Sequence, residues 1–238
     1  ILIPSRMAAS RLPGKPLFKI NNLSIISHVF KRAEESNVGE VVVATEDKQI
    51  HEDVLKNGGR AILTRNDHKT GTDRIYEAYK KLDIKNIDYI LNLQGDEPNI
   101  NKDDIVNLNN CMIKNDAGIG TLASEIKNSE MLSNKNIVKV ITNSKLEKNN
   151  FPVAKNFIRQ NLSKVSKNIY HHIGIYSYQV KILEKFISLD QTKSEKENNL
   201  EQLRALDNRL KINVALATSS PIGVDTKEDY LAIKKIME

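Results

Sequence analysis

Along the first hundred residues the apolar positions switch between a period of two and a period near 3.6, and each switch marks a strand or a helix. Residues 1–4 read as a short strand, followed by a long basic loop and a helical pattern over 24–36. A β-branched run covers 40–44, a helix about 47–57 and a strand 60–63; a further helix is predicted over about 72–82 and a strand over 88–93. Strands alternating with helices of this length predict βαβ units on a parallel sheet. Right-handed crossovers gather the loops after the strands along one sheet edge, where open α/β folds bind ligands. Three loops fall there: 5–17, 65–73 and 94–99.

The second half is less regular. Strand-like runs appear at 119–126, 137–142, 169–178 and 211–217, and helical patterns at 102–114, 194–206 and 227–237. The last helix follows a cap signal at Asp225-Thr226. Residues 145–167 are polar and rich in Asn and Lys, with no clear period. No internal repeat or interdomain linker is visible, so the expectation is one domain over 1–238 with an inserted subdomain at about 120–180.

Composition narrows this little. Hydrophobic residues make up 39% of the 238 and charged residues 28%, a globular profile. No apolar run approaches the roughly 20 residues that span a bilayer, and no signal peptide is expected before the first strand. The chain opens on Ile1 rather than Met, so a short natural N-terminal piece is expected to be missing. A net charge of +6 admits nucleic acid, a membrane surface or anionic small substrates. The lysines are scattered among acids and asparagines, without an arginine-rich tract or interleaved aromatics, which reads as a solvated surface rather than a nucleic-acid face. The single cysteine, Cys111, excludes an internal disulfide and fits a reducing cytoplasm. Its apolar-periodic surroundings predict a buried core thiol, not a nucleophile.

The loops carry the chemistry. The first reads Pro4-Ser5-Arg6-Met7-Ala8-Ala9-Ser10-Arg11-Leu12-Pro13-Gly14-Lys15-Pro16-Leu17. Prolines stiffen it, Gly14 lets backbone approach an anion, and Arg6, Arg11 and Lys15 supply charge, so it reads as a polyphosphate-binding loop. The P-loop spacing is absent, and no G-x-G-x-x-G follows a strand. In the second loop, Thr70-Gly71-Thr72 can present hydroxyls and backbone groups to a planar ligand edge, or Thr70 or Thr72 can cap the next helix. In the third, Gln94-Gly95-Asp96-Glu97-Pro98, Asp96 follows the end of a strand opposite the basic phosphate loop, where Mg²⁺ would be held, while Glu97 can face structure instead. Asp225, before the last helix, reads by itself as a cap.

Taken together, Pro-x-Arg-x-x-x-Ser-Arg-Leu-Pro-Gly-Lys-Pro-Leu, Thr-Arg-x-Asp-His-x-x-Gly-Thr-Asp-Arg and Leu-Gln-Gly-Asp-Glu-Pro resemble the 3-deoxy-manno-octulosonate (Kdo) cytidylyltransferases, also called CMP-Kdo synthetases. His172-Ile173-Gly174-Ile175-Tyr176, Leu200-Glu201-Gln202-Leu203-Arg204 and Gly223-Val224-Asp225-Thr226-Lys227-Glu228-Asp229 extend the resemblance over nearly the whole chain, in order. CMP-sialic acid synthetases have a differently spaced first loop.

The resemblance implies a Rossmann-like three-layer α/β nucleotidyltransferase fold with a mostly parallel sheet and an inserted dimerisation and sugar-binding subdomain. It implies transfer of CMP from CTP to the anomeric hydroxyl of Kdo for lipopolysaccharide synthesis, in a cytoplasmic homodimer that binds neither nucleic acid nor membrane. Arg6 and Lys15 would grip the CTP phosphates, with Ser10 and Arg11 shaping their loop and Arg65, Thr70 and Gly71 along the cytidine pocket. Asp96 and Asp225 would hold Mg²⁺, which moves Asp225 from cap to ligand on the resemblance alone. Gln94, Arg159, His172, Tyr176, Glu201 and Gln202 would contact the sugar acid. The family's Phe-Ser-Arg segment and its following proline are altered here, and Arg159 in Asn156-Phe157-Ile158-Arg159 aligns with its arginine. His171 and His172, adjacent on a strand, point to opposite faces, so they do not make a metal pair; His172 is expected to face substrate and His171 solvent or a partner. The competing readings are a cytidylyltransferase for another sugar acid or a polyol, and a non-catalytic nucleotide- or nucleic-acid-binding protein. Two acids opposite three cations argue against a pure binder.

Overall fold

Two compact units divide the chain: residues 1–106 with 221–238, and residues 107–220. The structure, a computed structural model, describes residues 1–8, 11–159 and 167–238. Ser10, expected in the phosphate loop, lies outside the described residues.

In the first unit β1 (Leu2–Ser5) is followed by a two-stranded hairpin, β2 (Lys19–Ile20) and β3 (Leu23–Ser24), which the apolar pattern is too short to reveal. Asn21 and Asn22 form its turn with φ of 48° and 64°. Paired positive φ values suit the right-handed twist of the strands, and Asn tolerates them. Helix α1 (Ile25–Glu35) starts at Ser24, whose side chain accepts from Ser27 N. There follow β4 (Val42–Thr45), α2 (Lys48–Lys56), β5 (Ala61–Leu63), α3 (Gly71–Leu82) and β6 (Tyr89–Asn92), and α4 (Lys102–Asn115) begins in this unit and ends in the second. The sheet order is β6-β1-β4-β5 and every pairing is parallel, with Leu2, Ile3 and Pro4 opposite Val42, Val43 and Ala44. All four β4 residues are buried, the continuous apolar run of a strand covered on both faces.

The second unit holds β7 (Ile119–Ser124), α5 (Ser129–Ser133), β8 (Lys139–Thr142), β9 (Ala154–Ile158), β10 (Ile169–Gln179), α6 (Val180–Ile187), α7 (Lys193–Asn198), α8 (Gln202–Asp207) and β11 (Ile212–Leu216). Strand β7 pairs in parallel with β11 and antiparallel with β10; β8 joins β10, and β9 joins β8. The segment expected at about 120–180 falls inside this unit, which is longer at both ends. The single helix predicted over 194–206 is two. Asn199 breaks it in the left-handed region (φ 51°), and the Glu195 carboxylate turns inward onto Arg204 at 2.8 and 2.6 Å, both side chains buried. Helix α6 went unpredicted because it is short and β-branched and follows a strand directly; Leu183 and Phe186 are its buried face. Cys111, expected in the core, is half-buried on α4, and burial raises its thiol pKa despite nearby Lys114. An inert thiol follows, as expected, but not from the core.

The chain then re-enters the first unit with α9 (Lys227–Met237). Ile20, Ile25, Val224 and Ile233 form a buried cluster joined by Leu12, Phe18, Ile222, Tyr230 and Met237. The Phe18 and Tyr230 rings meet edge-on at 5.3 Å, and Tyr230 Oη donates to Lys19 O at 2.7 Å. This packing holds the turn before α9 against the loop after β1, over two hundred residues earlier.

Candidate active site

The loop after β1 is shaped by its own backbone. Gly14 has φ of 76°, and its N–H donates to Met7 O at 3.0 Å, drawing the loop back on itself. A Cβ is costly in that left-handed conformation, which accounts for glycine here. Pro16 sits inside the short 3-10 turn Lys15–Leu17 that follows. Lys15 thereby leaves the loop at a fixed angle.

Within the first unit a cavity of about 310 Å³ opens where the strand-end loops meet. Its walls are Ser5, Arg6, Arg11 and Lys15 from the first loop, and His68, Lys69, Thr70, Gly71 and Arg74 from the second. Gln94, Gly95 and Asp96 from the third and Asp225 from the turn before α9 complete them. Sequence reasoning named all three loops. It also placed Arg65 here, but Arg65 is exposed, outside this lining, and beside Asp67 (3.2 Å) and Glu77 (3.7 Å).

Lys15 is the centre of the site. Its Nζ donates to Asp96 Oδ2 at 2.7 Å, Val224 O at 2.8 Å and Asp225 Oδ1 at 3.1 Å. Burial would lower its pKa, but the two carboxylates outweigh that and raise it, so the ammonium is charged. Asp225 also accepts from Arg11 Nη2 at 2.8 Å. Asp225 does not cap α9: the cap is Thr226, in a reciprocal box with Asp229. The Asp225 carboxylate is thereby left to the cavity. Val224 N donates to Asp96 O at 2.9 Å, tying the two acid-bearing turns together.

Glu97 faces structure. It is buried, its Oε2 has no hydrogen-bond partner among the described residues, and its pKa rises to about 8 through burial and the charges of Asp96 and Asp225. It is neutral near pH 7 and adds no charge to the site.

The second loop is braced from α3. Thr70 caps that helix in a box with Asp73, so the cap and the cavity wall are one residue. Arg74, almost fully buried, pairs with Glu46 and donates to Thr64 Oγ1 at 2.7 Å. His68 pairs with Glu77. Burial acts against that carboxylate's charge, but Lys81, His68 and the Arg65 N–H hold its pKa down at about 2. Sequence reasoning missed these braces. Arg74 and His68 stood in the quoted motif, but Glu46 lies 28 positions before Arg74 and carried no local signal.

Two aspartates flanking one cationic nitrogen make a set of hard oxygen donors around a positive charge. Among the described residues no group of three or more His, Cys, Asp or Glu could hold a metal. Two carboxylates suit Mg²⁺, which takes few protein ligands and completes its shell with phosphate and water. Arg6 and Lys69 have no ion-pair partner among the described residues, so the cavity can take a polyanion.

The remaining expected residues, apart from Gln94, lie in the second unit. His172 is buried between the rings of Phe157 (5.0 Å) and Tyr176 (5.5 Å), with Nε2 3.0 Å from Thr121 Oγ1. Burial, then the charges of His171 and Arg159, lower its pKa to about 3, so it is neutral. His171 points the other way, with Nδ1 2.9 Å from Ser220 Oγ. Tyr176 is buried, and its pKa is raised first by that burial and then by Tyr178 and Glu201. Arg159 donates to Asn136 O at 3.3 Å. Glu201 precedes α8, and Gln202 is its first, buried residue. Charge interactions thus link His172 to Arg159 and Tyr176 to Glu201, and the His172 and Tyr176 rings adjoin.

The cytidylyltransferase family profile matches residues 1–212. A 3-deoxy-manno-octulosonate cytidylyltransferase of Rhodopseudomonas palustris (strain BisB5) is 42% identical over 238 residues, covering 100% of this chain and 96% of its own. One from Nitrobacter hamburgensis is 40% identical over 244 residues, covering 100% and 92%. The solved structure of CMP:2-keto-3-deoxy-manno-octonic acid synthetase complexed with CTP superimposes with a TM-score of 0.88 at 33% identity, covering 99% of this chain and 96% of that one. No helix among the described residues is long and apolar enough to cross a membrane.

Proposed function

The chain belongs to the cytidylyltransferase family, and on that footing we propose that it transfers CMP from CTP to the anomeric hydroxyl of 3-deoxy-manno-octulosonate, releasing pyrophosphate. The observation that carries this reading is the meeting of Lys15, Asp96 and Asp225 inside a cavity walled by Arg6, Arg11 and Lys69. The names of the full-length relatives supply the substrates.

In this reaction the sugar hydroxyl attacks the α-phosphorus in line. A new P–O bond forms, the bond to the β-phosphate oxygen breaks, and the hydroxyl proton is released. Charge builds on the transferring and leaving phosphates, and fixed cations lower that barrier most. Arg6 and Lys69 bind phosphate oxygens, and Arg11 and Lys15 join them as the triphosphate competes for their present acid partners. Thr70 and Gly71, at the start of α3, border the nucleoside. Asp96 and Asp225 would hold Mg²⁺, which when bound supplies Lewis-acid charge at the phosphates. No side chain needs to act as a covalent nucleophile.

The proposal gives sugar-acid contacts to Arg159, His172, Tyr176, Glu201 and Gln202 of the second unit, while Gln94 lines the cavity of the first. It includes the homodimer as working assembly and the cytoplasm, whose reducing conditions suit the lone Cys111, with the product serving lipopolysaccharide synthesis. The test is pyrophosphate release with CTP, Mg²⁺ and Kdo. Release that requires Kdo and falls away with ATP, GTP or a sialic acid is the expected result. Comparable rates with purine nucleotides, or release without sugar, would overturn the assignment.

A further inference from the structure

All three ammonium hydrogens of Lys15 have protein acceptors: Asp96, the Val224 carbonyl and Asp225. The Lys15 side chain is 14% exposed, less than the 28% of Asp96 and the 44% of Asp225, so the charge lies beneath the carboxylates it joins. Arg11 takes the remaining oxygen of Asp225. An ammonium therefore stands between the two carboxylates that would hold a divalent ion. Both cations cannot hold those carboxylates at once, because two positive charges a few ångströms apart in a partly dry site repel strongly.

Resting on the reading of Asp96 and Asp225 as the metal holders, we infer that Lys15 is a built-in counter-ion that keeps the metal site closed until a nucleotide triphosphate draws the ammonium away. Three features support this. The lysine is fixed from behind by the rigid Gly14–Pro16 turn and the Val224 carbonyl, so its place between the acids is set by backbone as well as by charge. A triphosphate entering the same cavity offers Lys15 and Arg11 new oxygens, and their departure frees both carboxylates together. The freed pair also repels itself, which a divalent ion relieves and a monovalent one relieves less. Metal and nucleotide thus favour each other's binding, by the same factor in either order. Without nucleotide, the apparent metal affinity is reduced by the small fraction of molecules in which Lys15 has left.

The test titrates Mn²⁺ into nucleotide-free protein and follows free Mn²⁺ by electron paramagnetic resonance. Lys15→Met keeps the length and the apolar stem but removes the charge, and its thermal transition, with that of Arg11→Met as a milder variant, reports folding. The expected result is a Mn²⁺ affinity in Lys15→Met higher than wild type by on the order of tenfold or more, since the open state is the minor one. Arg11→Met should give a smaller gain, and adding Asp225→Asn to Lys15→Met should remove it. If wild type binds Mn²⁺ as tightly as Lys15→Met, and Asp225→Asn abolishes that binding, the metal assignment stands and the counter-ion role is overturned. If Lys15→Met gains affinity that Asp225→Asn does not touch, the metal assignment itself has failed and the inference falls with it.

Discussion

Asp225 and Lys15, 210 positions apart in sequence, meet at 3.1 Å. The contact exists because Val224 and Ile233 pack into the same buried cluster as Ile20 and Ile25, which seats the last turn over the first loop. It also depends on Thr226, one residue later, taking over the capping of α9.

That division of labour makes Asp225→Asn informative. Asn lacks the charge that Lys15 and a metal need, while the helix keeps its own cap. Activity should fall by about 10²-fold or more, as for loss of one fixed electrostatic group, with little change in thermal stability and partial rescue by high Mg²⁺. Full activity in the variant would remove Asp225 from the site.

Lys15→Ala should lower kcat/KM by on the order of 10²-fold, about 2.7 kcal/mol of transition-state stabilisation. The sequence suggests a loop lysine of little structural weight. The structure corrects that, because removal leaves Asp96 and Asp225 facing each other and strands the Val224 carbonyl. A stability loss of about 1–3 kcal/mol should accompany the activity loss, as when a charged hydrogen-bond partner is deleted. Denaturant unfolding of the two proteins measures it; an unchanged midpoint would contradict the clamp.

Gly95→Ala tests how tightly Asp96 is aimed. A Cβ at this position would sit 3.0 Å from Pro4 O and 3.1 Å from Ile26 Cδ1. Pro4 is fixed in β1 between two strands, so the loop must move instead, at a cost of about 1–3 kcal/mol. Activity should fall further than stability alone explains, because the displaced loop carries the Asp96 carboxylate. Wild-type kinetics in a folded Gly95→Ala would show that the Asp96 position tolerates drift.

The pH dependence of stability should carry the mark of His172. Its pKa falls from 6.5 to about 3 on folding, first through burial. Between those values the unfolded chain binds the extra proton, so stability rises with pH across the window. The contribution is complete above pH 6.5 and is lost as pH falls toward about 3; His171, lowered to about 4, adds in the same direction. His172→Gln should therefore be less stable at pH 7.5 yet lose less on acidification to pH 4.5. Parallel thermal melting curves across that range would count against a buried neutral imidazole.

Much of this architecture was legible along the chain. The first-unit helices and strands appear within a residue or two of the periodicity, because a covered parallel sheet demands continuous apolar strands and one-sided helices. Short elements escaped: α6 and the Asn21-Asn22 hairpin are too brief for a period to show. The helix over 194–206 was read as continuous because no Gly or Pro marks the break, which Asn199 makes in the left-handed region.

The three basic and acidic loops were equally visible, since a strand followed by Pro, Gly and cations signals anion binding without any partner in view. Which acid meets which cation was not. Local sequence offered Asp225 as a cap, and only the packing of Val224 and Ile233 against Ile20 and Ile25 shows it facing Lys15 and Arg11. Arg74 with Glu46, 28 positions away, follows the same rule. Periodicity reports which face of an element is dry, but the pairing of charges is set by elements far apart in sequence, and that is decided only when the chain has folded.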